Sequence, residues 1–351
     1  MFTADFDFEL PPDRIAQQPL KRGKSRLLVL SVSGDSQDHT ISQLPRLLRP
    51  GDLLVLNNTR VIPARLSATT IDTHAKVEVL LARKVDALTW LGLTKPGRRT
   101  RPGARLELGA GLELEVLEKL SGGLHRLRFS EPIDSHLERV GSVPLPPYIR
   151  RPVQPEDRVR YQTVYASRPG AIAAPTAGLH FTNELLSEIE TAGIEIAELT
   201  LHVGIGTFKP IRSVLAHEHE MDEETYEIPN GLSEAIERTR VAEGRVVAVG
   251  TTVVRALESA ALDGDGDLHP GSARTNLFIR PGFNFQIVDS LLTNFHLPRS
   301  SLLMLVCAFG GRDRVLQSYL EAIRRKYRFY SYGDAMLIES RSSALPTPSS
   351  A

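Results

Sequence analysis

The chain is 351 residues long, 41% hydrophobic and 24% charged, long enough for two domains of about 100–200 residues and apolar enough for a packed core, which excludes a wholly disordered chain. Lys plus Arg (42) equals Asp plus Glu (42), so any nucleic-acid partner must be met by basic residues gathered on one face and not by bulk charge. The one cysteine, Cys307, lies in the apolar run 302–309; this excludes a disulfide framework and a cysteine-based zinc site and suits a reducing cytoplasm.

The opening, Met1 to Asp7, is acidic and does not read as a signal peptide. No apolar stretch approaches the roughly 20 residues of a membrane helix. Leu27–Leu30 and Asp52–Val61 read as apolar strands. Further short strands follow at 76–84, 88–95, 105–108, 112–118 and 124–129, punctuated by turns such as Lys95-Pro96-Gly97 and Arg101-Pro102-Gly103. Leu112-Glu113-Leu114-Glu115-Val116 alternates with period two, so one of its faces is buried. Such spacing predicts a small antiparallel β-barrel or sandwich.

Beyond Pro152 the period changes. Helices are predicted over 183–192 (Thr182 as N-cap), 232–243, 251–262, 301–309 and 313–326. Strands are predicted over 194–203, 246–249, 275–279 and 335–338. Alternating strands and helices predict an α/β domain on a mainly parallel sheet. The early apolar strands suit that sheet equally well. The expected organisation is an α/β domain of residues 1–64 and 146–340, an inserted β-barrel domain of 65–145, and a disordered tail, 341–351.

Five local patterns bear on chemistry. Val246–Val249 runs into Gly250-Thr251-Thr252 and a helix; backbone N–H groups and the helix dipole there favour an anion. Either threonine also suits a plain N-cap, and Arg255, one turn on, suits a carboxylate or a phosphate. His202-Val203-Gly204-Ile205-Gly206-Thr207-Phe208 is a strand ending in a Gly-x-Gly turn, without the third glycine and helix of a dinucleotide fingerprint. The loop 173–182 is made of small residues, including Thr176 and Gly178, around His180. The acidic run 218–224 reads as a solvated loop, and no spacing there supports a metal site. Arg98-Arg99-Thr100-Arg101 and Arg150-Arg151 are basic clusters, and Tyr148 beside the second suits base stacking.

Taken together and in order, these runs resemble the S-adenosylmethionine:tRNA ribosyltransferase-isomerase family of queuosine biosynthesis. The matching runs are 6–11, 57–65, 174–182, 202–210, 249–258, 293–298 and 332–336, and they cover nearly the whole chain. One departure stands out: where the family carries Met-His-Ser/Ala-Glu, this chain has Met221-Asp222-Glu223-Glu224, so Glu224 matches and Asp222 replaces the histidine.

The resemblance implies S-adenosylmethionine consumed as a ribosyl donor. The acceptor would be 7-aminomethyl-7-deazaguanine at the wobble position of tRNA with a GUN anticodon, and the products epoxyqueuosine-tRNA, adenine and methionine. No metal or other cofactor is expected, and a monomer is the default. The route needs a general base and a proton donor for adenine, roles that histidine suits near neutral pH. His180 and His202 are the first candidates, then His296, with Asp222 and Glu224 beside them. S-adenosylmethionine contacts are expected from Thr176, Gly178, Gly204, Gly206, Thr207, Thr251, Thr252, Arg255 and Asn294, with Phe208 or Phe295 facing the sulfonium. For tRNA the candidates are Asn58, Arg60, Arg65, Arg98, Arg99, Arg101, Tyr148, Arg150 and Arg151. Two rival readings are an S-adenosylmethionine-dependent RNA methyltransferase, which would leave no free adenine, and a non-catalytic RNA-binding protein built on the β-rich segment.

Overall fold

A computed structural model describes residues 1–33, 35–109, 111–208 and 211–339, with Phe208 described by its backbone alone. The tail expected at 341–351 lies outside the described residues.

The larger body is built on a nine-stranded sheet. Its order is Gly271–Thr275, Glu224–Ile228, Glu195–Leu201, Leu53–Asn57, Val246–Val249, Ser290–Asn294, Ala335–Glu339, Arg26–Leu30 and Ser36–Thr40. The four central strands from Glu195–Leu201 to Ser290–Asn294 are mutually parallel. Towards both edges the pairing turns antiparallel, except where Arg26–Leu30 joins Ala335–Glu339 in parallel. The sheet is thus parallel at its centre and mixed overall.

Period-two alternation divides the side chains between the two faces. Leu53, Val55, Val246 and Ala248 pack under the helices Leu232–Val241, Thr251–Asp263, Ser301–Gly310 and Arg312–Arg324. Leu54, Leu56, Val247 and Val249 pack against Leu185 and Ile189 of the helix Asn183–Thr191. Thr182 caps that helix as expected, its hydroxyl accepting from the Leu185 N–H at 3.1 Å.

The segment from Arg65 to Ser142 forms the second body. Six antiparallel strands follow the order Arg65–Thr70, Lys76–Lys84, Thr89–Lys95, Leu124–Phe129, Glu113–Lys119 and Arg105–Glu107. The first and last of these pair with each other and close a barrel. The fold class is therefore the expected one, an α/β body interrupted by an antiparallel barrel. Of the strands preceding the barrel, Arg26–Leu30, Ser36–Thr40 and Leu53–Asn57 belong to the large sheet.

Two strand expectations need correction. The run 52–61 breaks at Asn58: Leu53–Asn57 stays in the large sheet, while Thr59–Val61 leaves it to pair with Arg168–Ala171. The last sheet-edge strand is Gly271–Thr275, and not 275–279, because the hydroxyl of Thr275 turns the chain by accepting from the Leu277 N–H at 3.0 Å.

Candidate functional site

In a parallel sheet, ligands gather beyond the carboxyl ends of the strands. Here the ends of the four central strands bring Asn57, His202, Gly250 and Asn294 to one edge. Asn57, fully buried, ties three of the chain's segments together there. Its amide N–H groups donate to the Leu201 carbonyl (3.0 Å) and to Thr252 Oγ1 (3.1 Å), and its oxygen accepts from the N–H groups of Thr59 and Leu201. Asn58, the neighbour expected to meet tRNA, is engaged within the protein: its side chain donates to Glu198 and accepts from Thr200.

Two adjoining pockets open at this edge. The first is walled by the loop Ala173–Ala177, by Gly250-Thr251-Thr252, by Thr293, Asn294 and His296, and by Tyr148, Tyr330 and Ser331. None of its lining side chains is charged. His296 is buried, sits 3.0 Å from Thr293 Oγ1, and is driven down to a pKa of about 3 by burial, so it is neutral at pH 7.

The second pocket shares Val203, Thr207, Thr251, Thr252 and Leu302 with the first but is lined by charge: Glu220, Asp222, Glu224 and Arg255. Glu224 and Arg255 are both buried and ion-paired. Glu224 also accepts from the Gly204 N–H at 2.8 Å, and Arg255 Nε donates to the Leu277 carbonyl at 3.1 Å. Arg255 Nη2 is buried without a hydrogen-bond partner. Gly206 packs directly on the Asp222 side chain.

The turn into this site depends on Gly250. Its φ of +94° and ψ of 154° lie in a region that only glycine occupies freely. No side chain caps the 13-residue helix that follows. Thr251 and Thr252 are therefore its first residues, not its caps, and both line the two pockets.

A third cavity, a cleft of about 510 Å³, lies between the barrel and the sheet edge, and His202 lines it. His202 Nδ1 shares a 2.8 Å hydrogen bond with Thr59 Oγ1, and burial lowers its pKa. A Cβ on Gly170 would lie 2.7 Å from that imidazole, so glycine there lets the ring lie against the backbone.

The expected site residues are thus distributed unevenly. Thr176, Thr207, Thr251, Thr252, Arg255, Asn294, Gly206, Asp222, Glu224 and His296 line the paired pockets. Gly204 lines the cleft beside His202. Gly178 is buried against Tyr165 and Thr163 and lines neither pocket. Phe295 is fully buried in an aromatic cluster with Tyr319, Tyr327 and Phe329, so it is core. The side chain of Phe208 lies outside the described residues.

His180 sits behind the first pocket. Its Nδ1 shares a 2.8 Å hydrogen bond with Ser25 Oγ, and burial, partly offset by the neighbouring Asn294 side chain, lowers its pKa to about 4. Its Nε2 is buried without a hydrogen-bond partner, near Asn294, a residue of the first pocket whose amide donates to the Tyr330 carbonyl at 3.0 Å.

The basic candidates divide similarly. Arg60, Arg98, Arg101 and Arg150 are exposed; Arg99 is also exposed and donates to the Lys76 carbonyl. Arg65 pairs with Glu78 and the Leu145 carbonyl. Arg151 is a structural residue: it grips buried Asp157 through both terminal nitrogens, at 2.7 and 2.8 Å. Tyr148 does not stand out for stacking beside it. It turns inward, hydrogen-bonds Ser331 and packs edge-on against Tyr330 in the wall of the first pocket. Among the described residues no group of three His, Cys, Asp or Glu could hold a metal ion, and no helix is long and apolar enough to cross a membrane.

Residues 3–338 match the model of a family described as queuosine biosynthesis protein. The S-adenosylmethionine:tRNA ribosyltransferase-isomerase of Moorella thermoacetica is 52% identical, over 96% of this chain and 100% of the relative. That of Gloeobacter violaceus is also 52% identical, over 96% of this chain and 95% of the relative. The crystal structure of an S-adenosylmethionine tRNA ribosyltransferase from Thermotoga maritima superposes with a TM-score of 0.55 at 38% identity, covering 95% of this chain and 99% of that one.

Proposed function

The chain belongs to the queuosine biosynthesis family of S-adenosylmethionine:tRNA ribosyltransferase-isomerases, and from that premise we propose that it moves the ribosyl group of S-adenosylmethionine onto a 7-aminomethyl-7-deazaguanine base. The base stands at the wobble position of a tRNA with a GUN anticodon, and the products are epoxyqueuosine-tRNA, adenine and methionine. The protein acts as a monomer in the cytoplasm, with S-adenosylmethionine as a substrate and no further cofactor.

The observation that carries this reading is the division of the paired pockets by charge. S-adenosylmethionine is an uncharged heteroaromatic base joined through ribose to a zwitterionic, cationic-sulfur chain. As they stand the two pockets measure about 40 and 30 Å³, so both must widen to admit the whole molecule; the uncharged first then suits the adenine, and the second, with its acids and Arg255, the methionyl end. Thr207, Thr251 and Thr252, common to both, fall beside the ribose. The unpartnered Arg255 Nη2 suits the methionine carboxylate, since charge-assisted bonds of this kind are the strong ones.

The chemistry starts with loss of a proton from the 5′-carbon beside the sulfonium. The resulting ylide expels adenine, the aminomethyl nitrogen attacks the opened sugar, and a sugar oxygen displaces methionine to close the epoxide. Asp222 and Glu224 stand nearest the charged end as proton acceptors, and His296, neutral and hydrogen-bonded to Thr293, faces the departing base. His180 acts as a positioning residue through Asn294.

The test is incubation with S-adenosylmethionine and substrate tRNA, followed by chromatography of the bases released. Free adenine in proportion to modified tRNA is expected. S-adenosylhomocysteine with methylated RNA would establish the methyltransferase reading instead.

A further inference from the structure

On the reading above, no part of the donor substrate is seated in the large cleft. Its floor is apolar, made by Ile62, Ala82, Trp90, Leu137, Ile172 and Val203, contributed by both bodies. Its volume, about 510 Å³, falls within the ~300–1,000 Å³ usual for ligand pockets. Trp90, the one tryptophan of the chain, is 5% exposed, and its indole Nε1 is buried with no hydrogen-bond partner.

The barrel is deformed at this place. Strand Lys76–Lys84 carries a bulge between Leu81 and Arg83, which leaves Ala82 as the extra residue opposite the strand of Trp90. Bulges re-aim side chains and cluster beside functional sites, and here Ala82, Arg83 and Lys84 all line the cleft. Arg83 and Lys84 are ion-paired at the rim with Glu223 (3.5 Å) and Asp134 (2.8 Å), all about half exposed. Such pairs contribute little and can re-form around a phosphate. Finally, Val203 and Glu224 are shared between the cleft and the charged pocket, so one thin wall separates the two.

We propose that this cleft is the chamber for the acceptor nucleobase, extruded from its RNA loop, with the Trp90 indole and the apolar part of the lining holding the base and the polar side chains of the cleft meeting its edge. The proposal rests on the reading above that the acceptor is a base within RNA. A base taken out of a stack needs apolar or aromatic surfaces and a few edge hydrogen bonds, and the cleft offers both next to the donor pocket.

Because Trp90 is the sole tryptophan, the wild-type protein reports on the chamber without mutation. An anticodon stem-loop carrying 7-aminomethyl-7-deazaguanine at the wobble position is titrated against the full chain without S-adenosylmethionine. The same stem-loop, abasic at that position, serves as the control, and binding of both is followed by anisotropy. Loss or shift of tryptophan emission with the first RNA and not with the second is expected. The variant Ala82→Phe, which fills the floor, should raise the RNA half-saturation about tenfold or more, the loss of one good contact cluster, and leave S-adenosylmethionine affinity unchanged. Equal emission with both bound RNAs, in a preparation that releases adenine, would overturn the chamber and leave the activity standing. A base-dependent emission change without adenine release would support the chamber and sink the proposed reaction. If neither RNA binds, both fall.

Discussion

Arg255 and Glu224 show how closely stability and binding are joined at single residues. Both are buried and each is the other's counter-ion. Removing one partner of a buried pair strands a charge, at about 3–5 kcal/mol, whereas replacing both by apolar groups is often neutral. Arg255→Leu should therefore lower unfolding free energy by about that amount, and Arg255→Leu with Glu224→Leu should recover most of it. Denaturant melts of the single and double variants check this. Neither variant should bind S-adenosylmethionine, because both lose the guanidinium.

The buried histidines set a pH limit of their own. Burial lowers His180 to about 4 and His296 to about 3. A group with a depressed folded pKa stabilises fully above its unfolded value, near 6.5, and loses that contribution as pH falls towards the folded one. Between pH 7 and pH 5 each should forfeit about 2 kcal/mol. Thermal melts should fall over that interval, and His296→Gln should flatten the slope. An unchanged slope in that variant would show that His296 titrates normally.

At the scale of elements, the turn from Val246–Val249 into the helix Thr251–Asp263 brings two residues, Thr251 and Thr252, into the lining of both pockets. A Cβ on Gly250 would meet Ala177 Cβ at 3.5 Å, which is ordinary contact, so the obstacle to substitution is backbone conformation and not space. Gly250→Ala should cost about 1–3 kcal/mol and raise the KM for S-adenosylmethionine, since the turn aims Thr251 and Thr252. Retained stability with a normal KM would mean the turn relaxes at no cost. This element was legible in the sequence because four apolar residues bounded by Arg245 and Gly250 leave little choice of register. The break at Asn58 was not, because it depends on Asn57 bonding Leu201, 144 residues away. The position of His180 was hidden for the same reason: its partner, Ser25, lies 155 residues distant. Sequence reading found the loops of the site through their small residues and glycines. It missed Tyr330, Ser331 and Trp90, which come to line the cavities only when distant elements meet. For Trp90, the solitary tryptophan in a run of short strands was the available signal.

Across the whole molecule, zero net charge leaves an RNA partner to be met by cations that no acid of the protein holds. Arg151, occupied by Asp157, cannot serve both partners; Arg98 and Arg101, exposed on the turn after strand Thr89–Lys95, can. Along that strand Trp90 stands near the start and the arginine turn follows the end, so the two are separated by roughly 17 Å at about 3.3 Å per residue. That is too far for the extruded base but within reach of the flanking backbone. An RNA with its wobble base in the cleft would therefore lie along the barrel. Arg98→Glu with Arg101→Glu should weaken tRNA binding and flatten its salt dependence by roughly 0.7 per lost phosphate contact on single strands, or 0.9 on a duplex stem. S-adenosylmethionine affinity and the melting temperature should hold, since neither side chain is buried. Arg151→Glu should do the reverse and lower the melting temperature by stranding Asp157. Equal tRNA affinity for wild type and the Arg98/Arg101 variant at two salt concentrations would move the RNA off the barrel and leave Arg60 and Arg150 to hold it.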